Sequence, residues 1–172
     1  ATINSSGQIN SNVAPVAVDD TLTVSEDATI TSTDVIANDT DADADTLTLT
    51  AATTSGSGTV AVNADGVSVD YTPLANFNGT ETITYTVFDG ERTDATGTLT
   101  VTVTAVNDAP VAVANTITVD EDAAITSTDV IANDTDIDAD TLTLTAASTA
   151  GTGTVAVNAD GVSVDYTPAA NF

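Results

Sequence analysis

The sequence has no cysteine and no histidine, and Arg92 is its only basic residue. The nucleophile–base pairs of many hydrolases need a Cys, His or Lys beside the attacking group, so they are unavailable here. Aromatic residues make up 3% of the chain and tryptophan is absent, which leaves no stacking platform for a sugar-cleaving pair of carboxylates. These absences predict a protein that is not an enzyme.

Long hydrophobic runs are also missing. No apolar run approaches the roughly 18 residues that cross a membrane as a helix, and no segment joins a charged start to the apolar core of a secretion signal. The formal charge is −25, from 26 acidic residues and one basic residue. Such a chain repels nucleic acid and anionic membrane surfaces. We therefore expect no nucleic-acid partner and no direct membrane insertion, and we interpret the chain as a mature or internal fragment.

Apolar and polar residues alternate along most of the chain, and 41% of all residues are hydrophobic, so the acidity does not indicate disorder. A period of two residues is typical of half-buried strands. Turn signals such as Asn63–Gly66 and Asp89–Gly90 separate the alternating segments. The pattern predicts an all-β, Greek-key β-sandwich, with strands over 21–24, 46–50, 60–62, 67–71, 83–87 and 99–103.

The apolar positions of this pattern predict a small, aliphatic core. A core of this kind implies only modest stability for an isolated repeat. Its predicted members are Val18, Leu22, Val24, Ile30, Ile36, Leu47, Leu49, Val60, Val62, Val67, Val69, Tyr71, Ile83, Tyr85, Val87, Leu99, Val101 and Val103.

Residues 12–77 recur at residues 107–172 after a shift of 95 positions, with about 55 identities in about 66 aligned positions. The predicted organisation is a leader or linker over 1–11, a first repeat over 12–106 and a second repeat over 107–172. The second repeat lacks the counterpart of residues 78–106. We expect its missing strands to come either from a longer chain or from a neighbouring chain.

Carboxylates alternate with small residues over 39–45 and again over 134–140. Like charges at this spacing repel one another unless a cation lies between them, and Ca²⁺ takes hard oxygen ligands in sixfold to eightfold coordination. The alternatives are a solvated acidic loop and a general adaptation to high salt. We favour calcium because the clusters repeat.

In a seven-stranded sandwich, the loop that carries Glu26 and Asp27 lies at the end opposite to the aspartate-rich loop. Stacking two repeats head to tail would then bring Glu26 and Asp27 beside Asn107, Asp108 and the second aspartate-rich loop, with calcium between the repeats. The predicted calcium ligands are Glu26, Asp27, Asp39, Asp41, Asp43, Asp45, Asp89, Asn107, Asp108, Glu121, Asp122, Asp134, Asp136, Asp138 and Asp140.

The chain resembles cadherins, and most closely the bacterial cadherin-like (Ig-like) tandem repeats of large secreted adhesins. The resemblance rests on Asn107–Pro110, Glu26-Asp27, the aspartates of 39–45 and the run from Asn63 to Gly79. It implies a secreted, surface-attached rod that calcium makes rigid, often exported by a type I system. The segment Pro73–Gly79 lacks the carboxylates that cadherins carry there, which implies fewer than three ions per junction.

These observations predict an extracellular spacer module of a calcium-rigidified cell-surface adhesin, with adjacent repeats of the same chain as its partners. The alternative is a subunit of an extracellular filament or surface layer, in which a neighbouring identical subunit completes the second sandwich. Glycans are a further possible partner, because Asn-x-Ser/Thr sequences begin at Asn4, Asn38, Asn78 and Asn133.

Overall fold

The computed structural model describes residues 2–3, 9–10, 12–91 and 94–171. It divides the chain into two compact units, Ala1–Val106 and Asn107–Phe172. Within the predicted leader, strand β1 (Thr2–Ile3) pairs antiparallel with β2 (Ile9–Asn10). The rest of that leader, including the glycan sequence at Asn4, lies outside the described residues, as does Arg92.

The first unit is a sandwich of two sheets, and the described residues include no helix. One sheet has the order β3-β9-β8-β5 and the other has the order β4-β7-β6. The first and last of these strands, β3 and β9, run parallel, whereas the other neighbours are antiparallel. The prediction of an all-β sandwich is therefore confirmed, with strands β3 (Asp20–Ser25), β4 (Thr31–Asp34), β5 (Thr48–Thr54), β6 (Thr59–Val62), β7 (Ser68–Thr72), β8 (Gly79–Phe88) and β9 (Asp94–Thr104).

The core of the first unit forms where the inward-facing residues of the two sheets meet. Every second residue is buried from Glu81 to Val87 in β8 and from Gly97 to Val103 in β9, as the alternation predicts. Tyr71 and Tyr85 are the largest fully buried side chains. The core is small and mainly aliphatic: Val24, Val35, Leu49, Val69, Tyr71, Ile83, Tyr85, Val87, Leu99, Val101 and Val103.

Several local predictions differ from the structure. Val18 is 43% exposed and Ile30 is 68% exposed, because both lie in segments before a strand and not within one. Val35, which is fully buried, belongs to the core in place of Ile36, which packs against it from a half-buried position. Strand β4 was not predicted because Thr31–Asp34 contains no apolar residue, yet it pairs in register with β7.

The second unit reproduces one sheet of the first. Its strands β10 (Thr126–Asp129), β11 (Thr154–Val157) and β12 (Ser163–Thr167) have the order β10-β12-β11, which is the order β4-β7-β6 shifted by 95 residues. The register is also conserved, since Thr126 pairs with Tyr166 as Thr31 pairs with Tyr71. Residues 115–120 and 143–149, the counterparts of β3 and β5, form no strand here.

Candidate metal centre

A group of carboxylates gathers at one end of the first unit, in the loop between β4 and β5. Ligand oxygens of Asp41, Asp43 and Asp45 lie within 4.8 Å of one another. Asp41 organises the loop, because its Oδ1 accepts hydrogen bonds from the amides of Asp43 at 2.7 Å and Asp45 at 3.2 Å. Its Oδ2 is buried and has no hydrogen-bond partner among the described residues. We refer to these three residues as the aspartate cluster.

The turn between β8 and β9 approaches the same end of the unit. Asp89 is 4% exposed; its Oδ2 accepts a hydrogen bond of 2.9 Å from Asn12 Nδ2 and its Oδ1 one of 2.8 Å from the Glu91 amide. The Val13 amide donates to Asp43 Oδ2 at 2.7 Å. The segment before β3 in the first unit is thus attached to both acidic loops, through Asn12 and Val13.

The electrostatics of the aspartate cluster favour a bound cation. The pKa of Asp45 is raised, first by partial desolvation and then by the negative charges of Asp41, Asp43, Asp89 and Glu91. No described residue is a lysine, arginine or histidine, so no side-chain cation of the described chain offsets these charges. The oxygen donors and the buried Asp41 Oδ2 fit a hard cation such as Ca²⁺.

Asp39, the first residue of the aspartate-rich loop, belongs to a different environment. Its Oδ1 accepts a hydrogen bond of 2.7 Å from the Val18 amide. Desolvation raises its pKa, and the neighbouring charges of Asp20 and Asp34 act in the same direction. Asp20 is itself a hydrogen-bond acceptor for the Tyr85 hydroxyl at 2.9 Å. Asp39 therefore holds the segment before β3 and lies outside the aspartate cluster.

The second unit repeats this loop geometry. Asp136 Oδ1 accepts the amides of Asp138 at 2.9 Å and Asp140 at 3.2 Å, as Asp41 does in the first unit. Asp138 Oδ2 accepts the Asp108 amide at 2.7 Å, in the place where Asp43 accepts Val13. Asp134 Oδ1 accepts the Val113 amide at 2.7 Å, which matches Asp39 and Val18. Asp108 adds a carboxylate that the first unit lacks, and Asn107, Asp108, Asp134, Asp136 and Asp140 line one concavity.

Glu26 and Asp27 lie at the other end of the first unit, after β3. Glu26 is 3% exposed, and its Oε1 accepts a hydrogen bond of 2.6 Å from the Val106 amide. Asp27 has a φ of +59° and accepts the Asn76 amide at 3.0 Å. Within this unit, Glu26 and Asp27 are therefore not part of the aspartate cluster, and the site that would join them to Asn107 and Asp108 stays a prediction.

The corresponding pair in the second unit is Glu121 and Asp122. Glu121 is exposed. Asp122 has a φ of +56° and accepts the Asn171 amide at 3.2 Å, as Asp27 accepts Asn76. The fold therefore uses the aspartate of each pair to connect two loops of its own unit.

A buried carboxylate in β8 was missed by sequence reasoning. Glu81 is 4% exposed and accepts hydrogen bonds from the Tyr71 hydroxyl at 2.8 Å, the Ser57 amide at 2.6 Å, the Ser57 hydroxyl at 2.9 Å and the Gly58 amide at 3.1 Å. Desolvation raises its pKa, but these hydrogen bonds outweigh it and the net pKa is lowered. The sequence does contain a sign of this buried carboxylate, because Glu81 is two residues before Ile83 and four before Tyr85 and therefore lies on the same, buried face of β8.

The two copies also match a known family at the level of sequence. The bacterial Ig domain family matches residues 12–102 and, separately, residues 107–172. The chain belongs to the bacterial Ig domain family. Bacterial Ig domains are non-catalytic structural domains that typically occur in surface or extracellular proteins. The recognition of a bacterial Ig-like tandem repeat from the sequence is confirmed.

The solved structures that match this bacterial Ig domain chain are distant from it. A nucleoside hydrolase-related hypothetical protein from Saccharophagus degradans, associated with carbohydrate metabolism, has 20% identity and a TM-score of 0.42 over 54% of this chain and 26% of that chain. An endo-fucoidan hydrolase from glycoside hydrolase family 107 has 18% identity and a TM-score of 0.45 over 89% of this chain and 24% of that chain. A variant of that enzyme has 19% identity and a TM-score of 0.44, with the same coverage.

This chain thus spans about a quarter of each of those proteins. No curated protein matches the chain. Among the described residues, no helix has the length and apolar character needed to cross a membrane.

Proposed function

We propose that this chain is a non-catalytic spacer of a secreted cell-surface adhesin, and that calcium binding stiffens it. The observation that carries the proposal is the aspartate cluster of the first unit, whose hydrogen-bonded loop geometry recurs in the second unit. A spacer needs uniform repeats and no singular pocket, and the two copies share one three-stranded sheet and the aspartate-rich loop. Membership of a family of non-catalytic structural domains supports the same function.

In the first unit, Asp41, Asp43 and Asp45 would hold the cation, with Asp89 as a neighbouring carboxylate. In the second unit, Asp136, Asp138 and Asp140 would do so, together with Asp108. The ion would neutralise the mutual repulsion of the carboxylates. Because Asp43 and Asp138 also accept the amides of Val13 and Asp108, binding would fix the position of these two segments within their units.

The test is a calorimetric titration of the full chain with calcium, combined with thermal melting in EDTA and in calcium at about 10⁻³ M, a concentration typical for extracellular modules. We expect saturable binding and a higher melting temperature with calcium. Sodium chloride at matched ionic strength is the control, because general screening acts on all carboxylates. An equal rise in melting temperature with sodium chloride would favour adaptation to salt and contradict a specific calcium site.

A further inference from the structure

Four places in the sequence put an asparagine or an aspartate directly before a glycine: Asn78-Gly79, Asp65-Gly66, Asp89-Gly90 and Asp160-Gly161. At such a pair the backbone nitrogen of the glycine can attack the side-chain carbonyl of the preceding residue, because glycine has no Cβ to hinder the approach. The product is a five-membered succinimide ring. The structure leaves one of the four pairs open to this reaction and protects the other three.

The pair Asp65-Gly66 is held by hydrogen bonds that oppose the reaction. Asp65 Oδ1 accepts the amides of Val67 and Ser68, each at 2.9 Å, and these hydrogen bonds lower the pKa of Asp65. The carboxylate therefore stays ionised at neutral pH, and an ionised carboxylate is a poor electrophile. The attacking nitrogen is held as well, since the Gly66 amide donates to the Asn63 carbonyl at 3.0 Å.

The other two Asp-Gly pairs are protected in similar ways. Asp160 Oδ1 accepts two amides at 2.9 Å, and the Gly161 amide donates to a carbonyl at 3.0 Å, as in the turn at Gly66. Asp89 is 4% exposed, and its two carboxylate oxygens accept hydrogen bonds from Asn12 and from the Glu91 amide. A side chain fixed in this way is not free to turn toward the following amide nitrogen.

Asn78 and Gly79 have none of this protection. Both are exposed, and the side-chain amide of Asn78 has no hydrogen-bond partner in the part of the chain that the structure describes. A primary amide also remains an electrophile at neutral pH, where a carboxylic acid has lost its proton. Gly79 is the first residue of β8, and the ends of strands open more readily than their centres. The carbon to be attacked and the attacking nitrogen are therefore both accessible.

The fold also requires the glycine that makes this pair reactive. Gly79 has a φ of +139°, a conformation that residues with a side chain rarely adopt. A Cβ at this position would lie 3.3 Å from the Phe77 ring. A larger residue at position 79 would hinder the attack but would also strain the start of β8. The reactive pair is thus a consequence of the backbone conformation.

We propose that Asn78 is a site of spontaneous deamidation in the folded protein. The Gly79 backbone nitrogen loses its proton and forms a bond to Asn78 Cγ. The bond from Cγ to Nδ2 breaks, and the departing nitrogen takes up a proton and leaves as ammonia. Water then opens the succinimide at one of its two carbonyls, which gives either aspartate or isoaspartate, whose main chain runs through the side-chain carbon. Water is the only co-reactant.

Deamidation adds a negative charge at the end of the first unit that already carries Glu26. Gly79 pairs with Val103, and Val103 also pairs with Val24, two residues before Glu26. The residue before Gly79 therefore lies at this same end of the sheet. The reaction also removes the nitrogen that would accept a glycan in the sequence that begins at Asn78. A chain that has deamidated here has lost this acceptor.

The test is incubation of the full chain at mildly alkaline pH in EDTA, so that the result does not depend on the proposed calcium site. Peptide mapping by mass spectrometry measures the conversion of each asparagine, and an isoaspartyl methyltransferase detects isoaspartate. We expect Asn78 to convert at least about tenfold faster than Asn63, which precedes alanine and whose side chain is hydrogen-bonded. Conversion of Asn78 no faster than that of Asn63 would overturn the proposal. Aspartate without isoaspartate would indicate direct hydrolysis and would overturn the succinimide route.

A variant and the unfolded chain separate the effect of the fold from that of the sequence. Asn78→Gln should abolish rapid conversion at this position, because glutamine closes a six-membered ring more slowly. Unfolding in urea should speed the formation of isoaspartate at Asp65 by about tenfold, because the hydrogen bonds that hold its carboxylate are lost. Conversion of Asn78 should change much less. Equal acceleration at both positions would show that the fold protects Asn78 as well, and would contradict the proposal.

Discussion

The Tyr71 hydroxyl donates a hydrogen bond of 2.8 Å to Oε2 of Glu81, and both residues are buried in the first unit. Loss of this donor leaves a desolvated carboxylate oxygen with one partner fewer. We therefore expect Tyr71→Phe to lower the free energy of unfolding of the first unit by roughly 1–3 kcal/mol. Unfolding in urea, monitored by hydrogen exchange of the β7 and β8 amides, measures the change in free energy.

Tyr166→Phe is the matched control for that variant. Tyr166 is half-buried, whereas Tyr71 is fully buried and donates its hydroxyl to Glu81. Its hydroxyl should therefore contribute less, and the substitution should leave the first unit unchanged. If both variants lower stability equally, the buried hydrogen bond to Glu81 is not the cause.

The pH dependence of stability should have two opposing parts. The pKa values of Asp20 and Asp39 are raised above 3.8, chiefly by desolvation. The folded protein therefore binds these protons more tightly than the unfolded chain does. This contribution to stability is present at low pH and is lost as the pH rises through the raised pKa values. The pKa of Glu81 is lowered from 4.5, so its contribution is present above that value and is lost as the pH falls through the lowered one. Melting in EDTA should therefore show a maximum of stability between the loss at lower pH linked to Glu81 and the loss at higher pH linked to Asp20 and Asp39.

Glu81→Gln separates the two parts of this profile. It should reduce the loss of stability on the acid side and leave the loss that occurs as the pH rises through the raised pKa values of Asp20 and Asp39. The acid-side loss of stability should not vanish, because two other carboxylates also have lowered pKa values. Hydrogen bonds from Val67 and Ser68 lower the pKa of Asp65, and hydrogen bonds from Asn63 and Ser32 lower the pKa of Asp70. A profile that is flat between neutral pH and the acid transition would contradict the raised pKa values.

The calcium proposal predicts a position-dependent effect of removing one charge. Asp41→Asn should weaken calcium binding by about tenfold, because affinity follows the charge and rigidity of the ligand set. Asp94→Asn removes the same charge from an exposed position outside the aspartate cluster, so it should leave affinity nearly unchanged. Calorimetric titration of both variants gives the comparison. Equal weakening would indicate a general effect of net charge.

The difference between the two copies gives a gain-of-function prediction. The second copy has Asp108 where the first has Val13. Val13→Asp should therefore strengthen calcium binding by the first unit, because it adds a carboxylate next to the amide that Asp43 accepts. The result to be measured is a lower dissociation constant without a loss of melting temperature in calcium. Unchanged affinity would exclude residue 13 as a ligand position.

Removing the extra carboxylate of the second unit tests the stiffness of the spacer. We expect Asp108→Ala to broaden the ensemble measured by small-angle scattering in calcium, while both units stay folded. In EDTA the variant and the parent should give similar profiles. A variant that matches the parent in calcium would show that Asp108 is only a solvated charge.

Much of the fold was predictable because apolar and polar residues alternate regularly along the strands. The hairpin around Asn63–Gly66 follows from local chemistry: Asn63 Oδ1 accepts the Asp65 amide, and Gly66 takes a φ of +72°. Strand β4 was not predictable from its own residues, since its position depends on pairing with β7. The exposure of Ile30 likewise depends on where β4 begins, which no apolar pattern marks.

The site was predictable in part. The alternating carboxylates of 39–45 indicated a cation-binding loop, but only the hydrogen bonds show that Asp39 turns toward Val18 while Asp41 and Asp43 stay together. The participation of Asn12 was not expected, because it lies far from Asp89 in the sequence. Tertiary contacts of this kind leave no local signal.

The parallel pairing of β3 with β9 has a mechanical consequence. Six residue pairs, from Asp20–Leu99 to Ser25–Thr104, connect the first and last strands of the first unit. Tension on the two ends of this unit would slide these strands past each other along their length. Their hydrogen bonds would then be loaded together in shear, whereas a hairpin pulled apart at its open end breaks one bond after another. Resistance to force thus comes from the order of strands in the sheet, and it would act with or without a bound ion.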